Sequence, residues 1–177
     1  MPTLKVSGVA NGSLEQELER LFRENYAMLY RTAYSLLDSP ADAEDVPQTI
    51  FLRLLRNGMT PDMQRNPNGY LYRAAVNLSL NIIRERKRRG PTEGVERLEI
   101  PAEGSNTKED IHRLLSEAIA QLDQDSAQIL ILRYVHNRSD ADIAKLMGTS
   151  RGTIAMRLFR SRARLKKLMR DSPGGKS

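Results

Sequence analysis

The sequence predicts an all-α protein made of two small helical domains. Apolar residues recur at helical spacing along most of the chain, capping signals stand at the expected helix ends, and no segment alternates like a strand. A stretch rich in proline, glycine and serine separates the two groups of helices, so we expect a flexible linker there. The predicted boundaries are a disordered tail at 1–12, a first domain at 13–90, a linker at 91–109, a second domain at 110–172 and a tail at 173–177.

The composition is that of a folded protein with a positive charge balance. Hydrophobic residues make up 40% and charged residues 28% of the 177 residues, and the formal net charge is +6. This composition fits a globular chain, and the charge hints at an anionic partner such as nucleic acid. Cysteine is absent, which excludes disulfides and thiolate metal sites. Because no apolar run is long enough for a membrane span and no signal-peptide pattern opens the sequence, we expect a cytoplasmic protein without membrane insertion.

The first domain is predicted to begin with a helix near Ser13. Its apolar positions follow a period of about 3.6 residues and are Leu14, Leu18, Leu21, Phe22, Leu29 and Ala33. The stretch DSPADAED then signals a new helix, with Ser39 as N-cap and Pro40 at the first helical position. A proline inside a helix removes a hydrogen bond and costs about 3 kcal/mol. We therefore expect the helix to break before Pro47 and to restart with Asp45 as N-cap.

Turn-forming residues fill the stretch from Asn57 to Gly69. The next helix is predicted to be capped by Asn68 and ended by Gly90. Its apolar stripe is Leu71, Ala75, Leu78 and Ile82.

The second domain is predicted to end in a short helix, a tight turn and a long helix. Ser139 with Asp142 signals a capping box, Gly148 a left-handed helix end, and Ser150 the N-cap of the last helix. This is the plan of a helix-turn-helix, whose second helix presents its N-terminal residues to base edges in the major groove. Two earlier helices are expected around 111–122 and 126–136.

The last predicted helix carries eight basic residues and no acid between Arg151 and Arg170. Its apolar stripe is Ile154, Leu158, Leu165 and Leu168. We expect this stripe to anchor the helix on its own domain, while guanidinium groups on the other faces read guanine edges or hold phosphates. The candidates for DNA contact are Arg151, Thr153, Arg157 and Arg160.

The helix before the linker carries a second nucleic-acid signal. It ends in the basic run RERKRR, residues 84–89, and it holds aromatic, amide and basic side chains that together suit unstacked bases and a single-stranded backbone. These side chains are Tyr70, Tyr72, Arg73, Asn77 and Asn81. Plainer interpretations stay open at this point, because positive charge at a helix C-terminus complements the helix dipole and either tyrosine is equally well a core residue.

The sequence contains no pattern for catalysis, a cofactor or a metal. Helix capping explains most of the acids between Asp38 and Asp45, and no phosphate loop or nucleophile elbow is present. His112 and His136 lack a matched carboxylate or thiol pattern, so we interpret both as ordinary surface or core histidines. We expect no enzyme activity, no catalytic residue, no metal and no cofactor.

Three segments together resemble the signature segments of the extracytoplasmic-function sigma factors, the group 4 bacterial sigma factors that hold only domains 2 and 4. They are DAEDVPQTIFLRLLR at 42–56, GYLYRAAVNLSLNIIRERKRR at 69–89 and DADIAKLMGTSRGTIAMRLFRSRARLKKL at 140–168. The resemblance implies sigma domain 2 at 13–90 and sigma domain 4 at 110–172. It further implies a factor that binds core RNA polymerase, directs promoter-specific initiation and is held by an inhibitory anti-sigma factor.

The resemblance also implies roles for individual residues. Those matching the polymerase-docking part of domain 2 are Asp45, Gln48, Phe51, Leu52 and Arg53. Those assigned to reading and melting the −10 promoter element are Gln64, Asn66, Asn68, Tyr72, Arg73, Asn77, Asn81 and Arg84. Those assigned to the −35 element are Ser150, Arg151, Thr153, Arg157 and Arg160.

The sequence departs from the family pattern at a few of these positions. Pro47 and Thr49 replace a usual apolar residue and a usual acid on the docking surface, and a common Lys-Ser pair is replaced by Ala155 and Met156. Two other functions stay open from the residues alone. One is a helix-turn-helix regulator of duplex DNA without sigma activity, and the other is a helical adaptor whose basic faces are merely solvated. Polymerase-dependent promoter opening and salt-sensitive DNA binding distinguish the three.

Overall fold

The computed structural model describes residues 8–90, called here the N-terminal half, and 108–172, called the C-terminal half. Within these ranges it consists of helices without strands, which confirms the predicted all-α class. The helices are α1 (Gly8–Leu37), α2 (Pro40–Asn57), α3 (Pro61–Arg65), α4 (Pro67–Arg89), α5 (Lys108–Ala120), α6 (Gln124–Tyr134), α7 (Asp140–Met147) and α8 (Arg151–Asp171). The predicted linker lies almost wholly outside the described residues, as do the C-terminal tail and most of the N-terminal tail. Helix α1 begins at Gly8, earlier than the predicted Ser13.

Helices α1, α2 and α4 pack together to form the body of the N-terminal half. The predicted stripe of α1 supplies part of this core, since Leu18, Leu21, Leu29 and Ala33 are buried. Leu14 and Phe22 are half-buried at its edge. An ion pair between Arg86 and Asp42, 2.6 Å long, ties the end of α4 to the start of α2.

Helix α2 runs unbroken from Pro40 to Asn57, so the predicted break before Pro47 is wrong. Ser39 does cap the helix, as predicted, by accepting the backbone N–H of Asp42. The proline belongs to a buried stripe at helical spacing, formed by Ala43, Val46, Pro47, Ile50 and Leu54. Because its ring adds buried apolar surface to that stripe, its burial offsets the missing hydrogen bond. Asp45 consequently lies in the helix interior with an exposed side chain, and it is not an N-cap.

The cap of α4 is Asn66, so the prediction of Asn68 as the cap is also wrong. The Asn66 side-chain oxygen accepts the backbone N–H of Gly69 at 3.0 Å. Pro67 follows at the first helical position, where its missing N–H is no loss and its fixed φ is already helical. Gly90 ends the helix with φ 69°, as predicted. The turn-rich stretch before it contains the short helix α3, which the sequence did not predict.

The C-terminal half forms the predicted helix-turn-helix. Ser139 and Asp142 make a reciprocal capping box at the start of α7, and Gly148 ends that helix in the left-handed conformation at φ 67°, ψ 38°. Ser150 caps α8 by accepting the backbone N–H of Thr153 at 3.1 Å. The predicted stripe of α8 faces the domain, with Ile154 and Leu158 buried and Leu165 and Leu168 half-buried. These local predictions are confirmed.

The two halves pack against each other through α4. This helix contacts α5, α6 and α7, and the buried apolar residues of both halves form one continuous cluster. Helix α4 is buried beyond its predicted stripe, at Tyr72, Val76, Ser79, Leu80 and Ile83. The periodicity of the sequence predicted one buried side of α4, and the structure has more than one.

Candidate nucleic-acid and polymerase interfaces

The basic face of α8 lies in solvent. All eight of its lysines and arginines are exposed. In residues 8–90 and 108–172, neither Arg151 nor Arg160 is in an ion pair. Thr153 is half-buried and shares a hydrogen bond of 2.8 Å with the hydroxyl of Ser150, so both belong to the helix cap. The arginines therefore offer the hydrogen-bond donors of the predicted −35 surface.

Arg157 has a partner within the C-terminal half. Its Nη1 donates to Oδ2 of Asp125, in the first turn of α6. The two side chains are 44% and 53% exposed. Exposed ion pairs of this kind contribute about 0–1 kcal/mol. A guanine edge or a phosphate can therefore replace Asp125 at little cost.

Two large apolar side chains stand on the solvent face of α8 among the arginines. Met156 is 56% exposed and Phe159 is 70% exposed. On a helix in the major groove, apolar side chains of this kind contact thymine methyl groups. Neither residue was predicted from the sequence to contact DNA. The sequence did contain a signal for this exposure, because both residues lie outside the apolar stripe of the helix.

The predicted polymerase-docking residues lie along the outer side of α2. Asp45, Gln48, Leu52 and Arg53 are exposed, and Leu52 shows 60% of its surface. Phe51 differs, because its ring is half-buried against Phe22 of α1, with the ring centroids 4.6 Å apart. An exposed leucine beside polar groups suits a protein-binding surface. Phe51 supports this surface from beneath.

A row of aromatic rings runs along α1 to Phe51. Phe22, Tyr26, Tyr30 and Tyr34 are spaced by four residues, and each ring meets the next at centroid distances of 5.5, 6.3 and 6.0 Å. Rings four residues apart on a helix are neighbours; Phe22 meets Tyr26 edge-on, and the tyrosines stack. Tyr26 and Tyr34 remain partly exposed. This row was not predicted, although the four-residue spacing of its aromatic residues is visible in the sequence.

A polar cleft opens between the C-terminal end of α2 and α4. Its volume is about 530 Å³. The polar and aromatic residues that line it include Arg53, Asn57, Tyr70, Asn77 and Asn81. Amides, a guanidinium and a phenol in one cleft are the groups that bind an unstacked base. The fold thus brings together two predicted −10 residues and one predicted docking residue.

Four of the eight predicted −10 residues form hydrogen bonds with the C-terminal half. Tyr72 is completely buried, and its hydroxyl donates to the backbone oxygen of Gln128 at 2.5 Å. Nε2 of Gln128 donates to Oδ1 of Asn77 at 3.3 Å. Nε of Arg84 donates to the Ala120 carbonyl at 2.9 Å, and Nδ2 of Asn66 donates to the Leu146 carbonyl at 2.9 Å. Burial raises the pKa of Tyr72 well above its ordinary value, so the hydroxyl keeps its proton.

The other predicted −10 residues are more accessible. Gln64, Asn68 and Asn81 are exposed, and Arg73 is half-buried. Oδ1 of Asn68 accepts Nδ2 of Asn25 in α1 at 3.2 Å. The predicted set is therefore divided between four residues that are hydrogen-bonded to the C-terminal half and four that are not.

Both histidines join α1 to the C-terminal half. Nε2 of His112 donates to the Ser35 carbonyl at 2.8 Å. Nε2 of His136 lies 2.8 Å from Oγ1 of Thr32, and its ring stands edge-on to that of Tyr72. Burial, with Arg31 and Arg138 nearby, lowers the pKa of His136 to about 4, so the ring is neutral at pH 7. Their interpretation as ordinary histidines did not include this bridging position.

The basic run at the end of α4 makes ion pairs. Besides the bond from Arg86 to Asp42, Lys87 pairs with Glu117 of α5 at 3.4 Å and Arg89 with Glu85 at 3.7 Å. All four residues from Arg86 to Arg89 also lie in the last turn, where positive charge complements the helix dipole. Ion pairs and the helix dipole therefore account for most of this basic run without a contact to nucleic acid.

Within the described ranges, no group of three or more histidine, aspartate or glutamate side chains is arranged to hold a metal ion. None of the helices in those ranges is long and apolar enough to cross a membrane.

Comparison with known families finds matches in both halves. The family described as Sigma-70 region 2 matches residues 21–89, and the one described as Sigma-70, region 4 matches residues 112–165. The first match covers most of α1 and all of α2, α3 and α4. The second covers most of α5, all of α6 and α7, and α8 as far as Leu165.

Several curated proteins are similar over most of the chain. The ECF RNA polymerase sigma factor SigW of Bacillus subtilis is 27% identical over 81% of this chain and 83% of its own. The RNA polymerase sigma-E factor of Streptomyces coelicolor is 29% identical over 85% and 84%. The ECF RNA polymerase sigma factor SigE of Mycolicibacterium smegmatis is 30% identical over 84% and 60%. Among solved structures, CnrH in complex with the cytosolic domain of CnrY shares the fold, at 20% identity and a TM-score of 0.51, over 92% of this chain and 94% of that one.

Proposed function

This chain belongs to the extracytoplasmic-function group of the sigma-70 family, and on that premise we propose how its surfaces act in transcription initiation. It binds core RNA polymerase and directs it to promoters. The outer side of α2, with Asp45, Gln48 and Leu52, is the proposed polymerase-docking surface. Helix α8 reads the −35 element in duplex DNA. The cleft and polar face of α4 capture bases of the −10 element after the strands separate.

The match of both sigma regions in one chain is the observation that carries this proposal. A helix-turn-helix alone would equally fit a regulator of duplex DNA. Region 2 adds the proposed polymerase-docking surface of α2 and the polar cleft beside α4. A regulator of duplex DNA needs neither. The regulator is therefore the less favoured function.

The chain contributes binding, and the chemistry of RNA synthesis stays with the polymerase. Unstacking bases costs a few kcal/mol per step, and contacts in the cleft must offset this cost. Asn77, Asn81 and Tyr70 supply amides and a ring for that purpose. We assign no catalytic residue, metal or cofactor, and we place the protein in the cytoplasm. The partners are core polymerase, promoter DNA and an inhibitory anti-sigma factor.

Run-off transcription tests the proposal. Purified core polymerase is incubated with fragments of genomic DNA, with and without the chain. We expect discrete transcripts that require the chain. If none appears although the chain binds duplex DNA in a salt-sensitive manner, the regulator without sigma activity is correct. If no DNA binding occurs either, the helical adaptor is correct.

A further inference from the structure

A hollow with apolar walls lies between α1, α5, α6 and α8. Its volume is about 620 Å³, and its walls include Leu36 of α1, Leu115 and Ile119 of α5, Ile131 of α6 and Met169 of α8. The interiors of folded proteins contain few voids larger than a water molecule, so an apolar space of this size is unusual. Ligand cavities measure about 300–1,000 Å³ and are lined mainly by apolar side chains. The hollow therefore has the size and the lining of a ligand site.

The mouth of this hollow is positively charged. The charged residues that line it are three exposed cations of α8, spaced by four residues: Arg162, Lys166 and Arg170. Residues at this spacing lie on one side of a helix. None of the three forms an ion pair within residues 8–90 and 108–172. Because neighbouring like charges repel one another, an anion at the mouth is attracted by all three.

One of these cations is held in position. Nε of Arg162 donates to the Leu158 carbonyl at 3.2 Å, and Nη1 donates to the hydroxyl of Tyr134 at 3.4 Å. Tyr134 is 61% exposed and also lines the hollow. The guanidinium has further N–H groups, which suit the paired oxygens of a carboxylate. Arg162 is therefore oriented to receive an anionic group at the mouth.

The apolar walls and the charged mouth together define the ligand. Phosphates of DNA are a sufficient partner for the charges alone, but they do not account for the apolar walls. A molecule that uses both features has an apolar body and an anionic end. An acidic helix of a partner protein shares this chemistry. However, a helix is about 10–12 Å wide with its side chains, so about 620 Å³ holds at most about one turn of it. A small amphiphile fits the enclosed space better.

We propose that the hollow binds a long-chain carboxylate. Its alkyl chain lies among Leu36, Leu115 and Ile119, and its carboxylate lies at Arg162 and Lys166. Because the walls come from α1 and from three helices of the C-terminal half, the bound molecule contacts both halves of the protein.

Calorimetric titration of the full chain with tetradecanoate, kept below its micelle concentration, tests the site. We expect saturable binding with one molecule per chain. Dodecanoate should bind about tenfold more weakly, because each methylene removed from the apolar walls costs about fourfold. Tetradecyltrimethylammonium has the same chain with a cationic end, and it should bind at least about tenfold more weakly than tetradecanoate. Equal binding of the anionic and cationic amphiphiles would contradict the role of the charged mouth.

Two neighbouring lysines provide a matched pair of variants. Lys166 lines the hollow, whereas Lys167 is exposed and does not. Lys166→Gln should weaken tetradecanoate binding about two- to fivefold, as expected for the loss of one exposed ion pair. Lys167→Gln should bind as the unsubstituted chain does. Since both variants lose the same charge, equal affinities would mean that tetradecanoate binds the basic surface of α8 without a site, and the proposal would be overturned.

A second pair of variants tests the walls. Leu115→Trp places a ring in the hollow, and Ile111→Trp places the same ring one turn earlier on α5, at a residue that is 48% exposed and does not line the hollow. We expect Leu115→Trp to lose tetradecanoate binding about tenfold or more. Tetradecanoate should raise the melting temperature of the unsubstituted chain and of Ile111→Trp, and it should not raise that of Leu115→Trp.

Unchanged affinity in a folded Leu115→Trp variant would overturn the site. If that variant does not fold, the two exposed lysines decide the question. Absence of binding by the unsubstituted chain would also overturn the proposal, and it would favour an acidic helix of a partner protein as the occupant. Each of these results would leave the proposed function standing, because neither DNA nor polymerase takes part in the measurements.

Discussion

Helices α4 and α8 both carry surfaces assigned to DNA, and they differ in how much of each is buried. Helix α8 buries one stripe and keeps all its basic residues in solvent. Helix α4 is buried on more than one side, and the C-terminal half holds four of its predicted −10 residues, counting the cap Asn66. A helix anchored on one side, such as α8, has its other faces free for DNA, whereas four residues assigned to DNA on α4 and its cap are already hydrogen-bonded within the protein.

The largest expected effect concerns the anchor of α8. Ile154 is completely buried, so Ile154→Ala should lower the free energy of unfolding by about 2–5 kcal/mol. Met156→Ala is the control, because that side chain is 56% exposed and its loss should change stability by about 0.5 kcal/mol or less. Denaturant unfolding of both variants measures the difference. An equal loss of unfolding free energy in the two variants would mean that Ile154 does not anchor α8.

The next effect concerns DNA reading by the open helix. Arg157→Ala should cost about 1–3 kcal/mol at the preferred −35 sequence and relax discrimination there. Asp125→Ala, which removes only the partner of Arg157, should leave the affinity within about 1 kcal/mol. Binding to matched and mismatched duplexes measures both. Equal weakening by Arg157→Ala on every duplex would make Arg157 a phosphate contact.

A smaller effect concerns the bridge between the halves and depends on pH. The pKa of His136 is lowered to about 4 from an ordinary value of 6.5, so the unfolded chain binds the proton more readily between these values. The folded state is therefore fully stabilised above pH 6.5 and loses stability as the pH falls toward 4. After allowance for solvent screening, we expect a loss of about 1 kcal/mol between pH 7 and pH 5. His136→Gln should abolish this loss in unfolding experiments at both pH values, and an unchanged loss would assign it to another group.

The smallest effect concerns the far end of α8. Lys166 lies more than two turns beyond Arg157, too far along the helix to share the groove with the N-terminal residues. Lys166→Ala should weaken binding to all duplexes alike and lower the salt slope by about one unit, as for a phosphate contact. A salt series on matched and mismatched duplexes checks this. Loss confined to one sequence would place base reading further along α8.

The sequence was sufficient where one local signal decides the structure. The capping box at Ser139, the left-handed Gly148 and the stripe of α8 depend on neighbours along the chain, and all were predicted. The predicted break before Pro47 was wrong because burial of the proline outweighs the lost hydrogen bond. Local helix propensity does not include the free energy of that burial. The packing of α4 on the C-terminal half was also missing. From the sequence, Tyr72 was equally well a core residue or a contact for bases. Its hydrogen-bond partner Gln128 is distant in sequence, so no local pattern decides between the two.

The most direct test of the account measures the contact between α4 and α5 at successive stages of transcription initiation. Lys87→Cys with Glu117→Cys places two thiols where an ion pair joins α4 to α5 in a chain that otherwise has no cysteine. This variant is treated briefly with a bismaleimide as the free chain, with core polymerase, and with core polymerase on promoter DNA. The Arg133→Cys and Asp140→Cys pair serves as the control for access of the reagent. We predict a high yield of cross-link in the free chain and a much lower yield in the promoter complex, with the control yield constant. An equally high yield in the promoter complex would contradict the proposed assignment of −10 DNA to residues of α4 that are hydrogen-bonded to the C-terminal half.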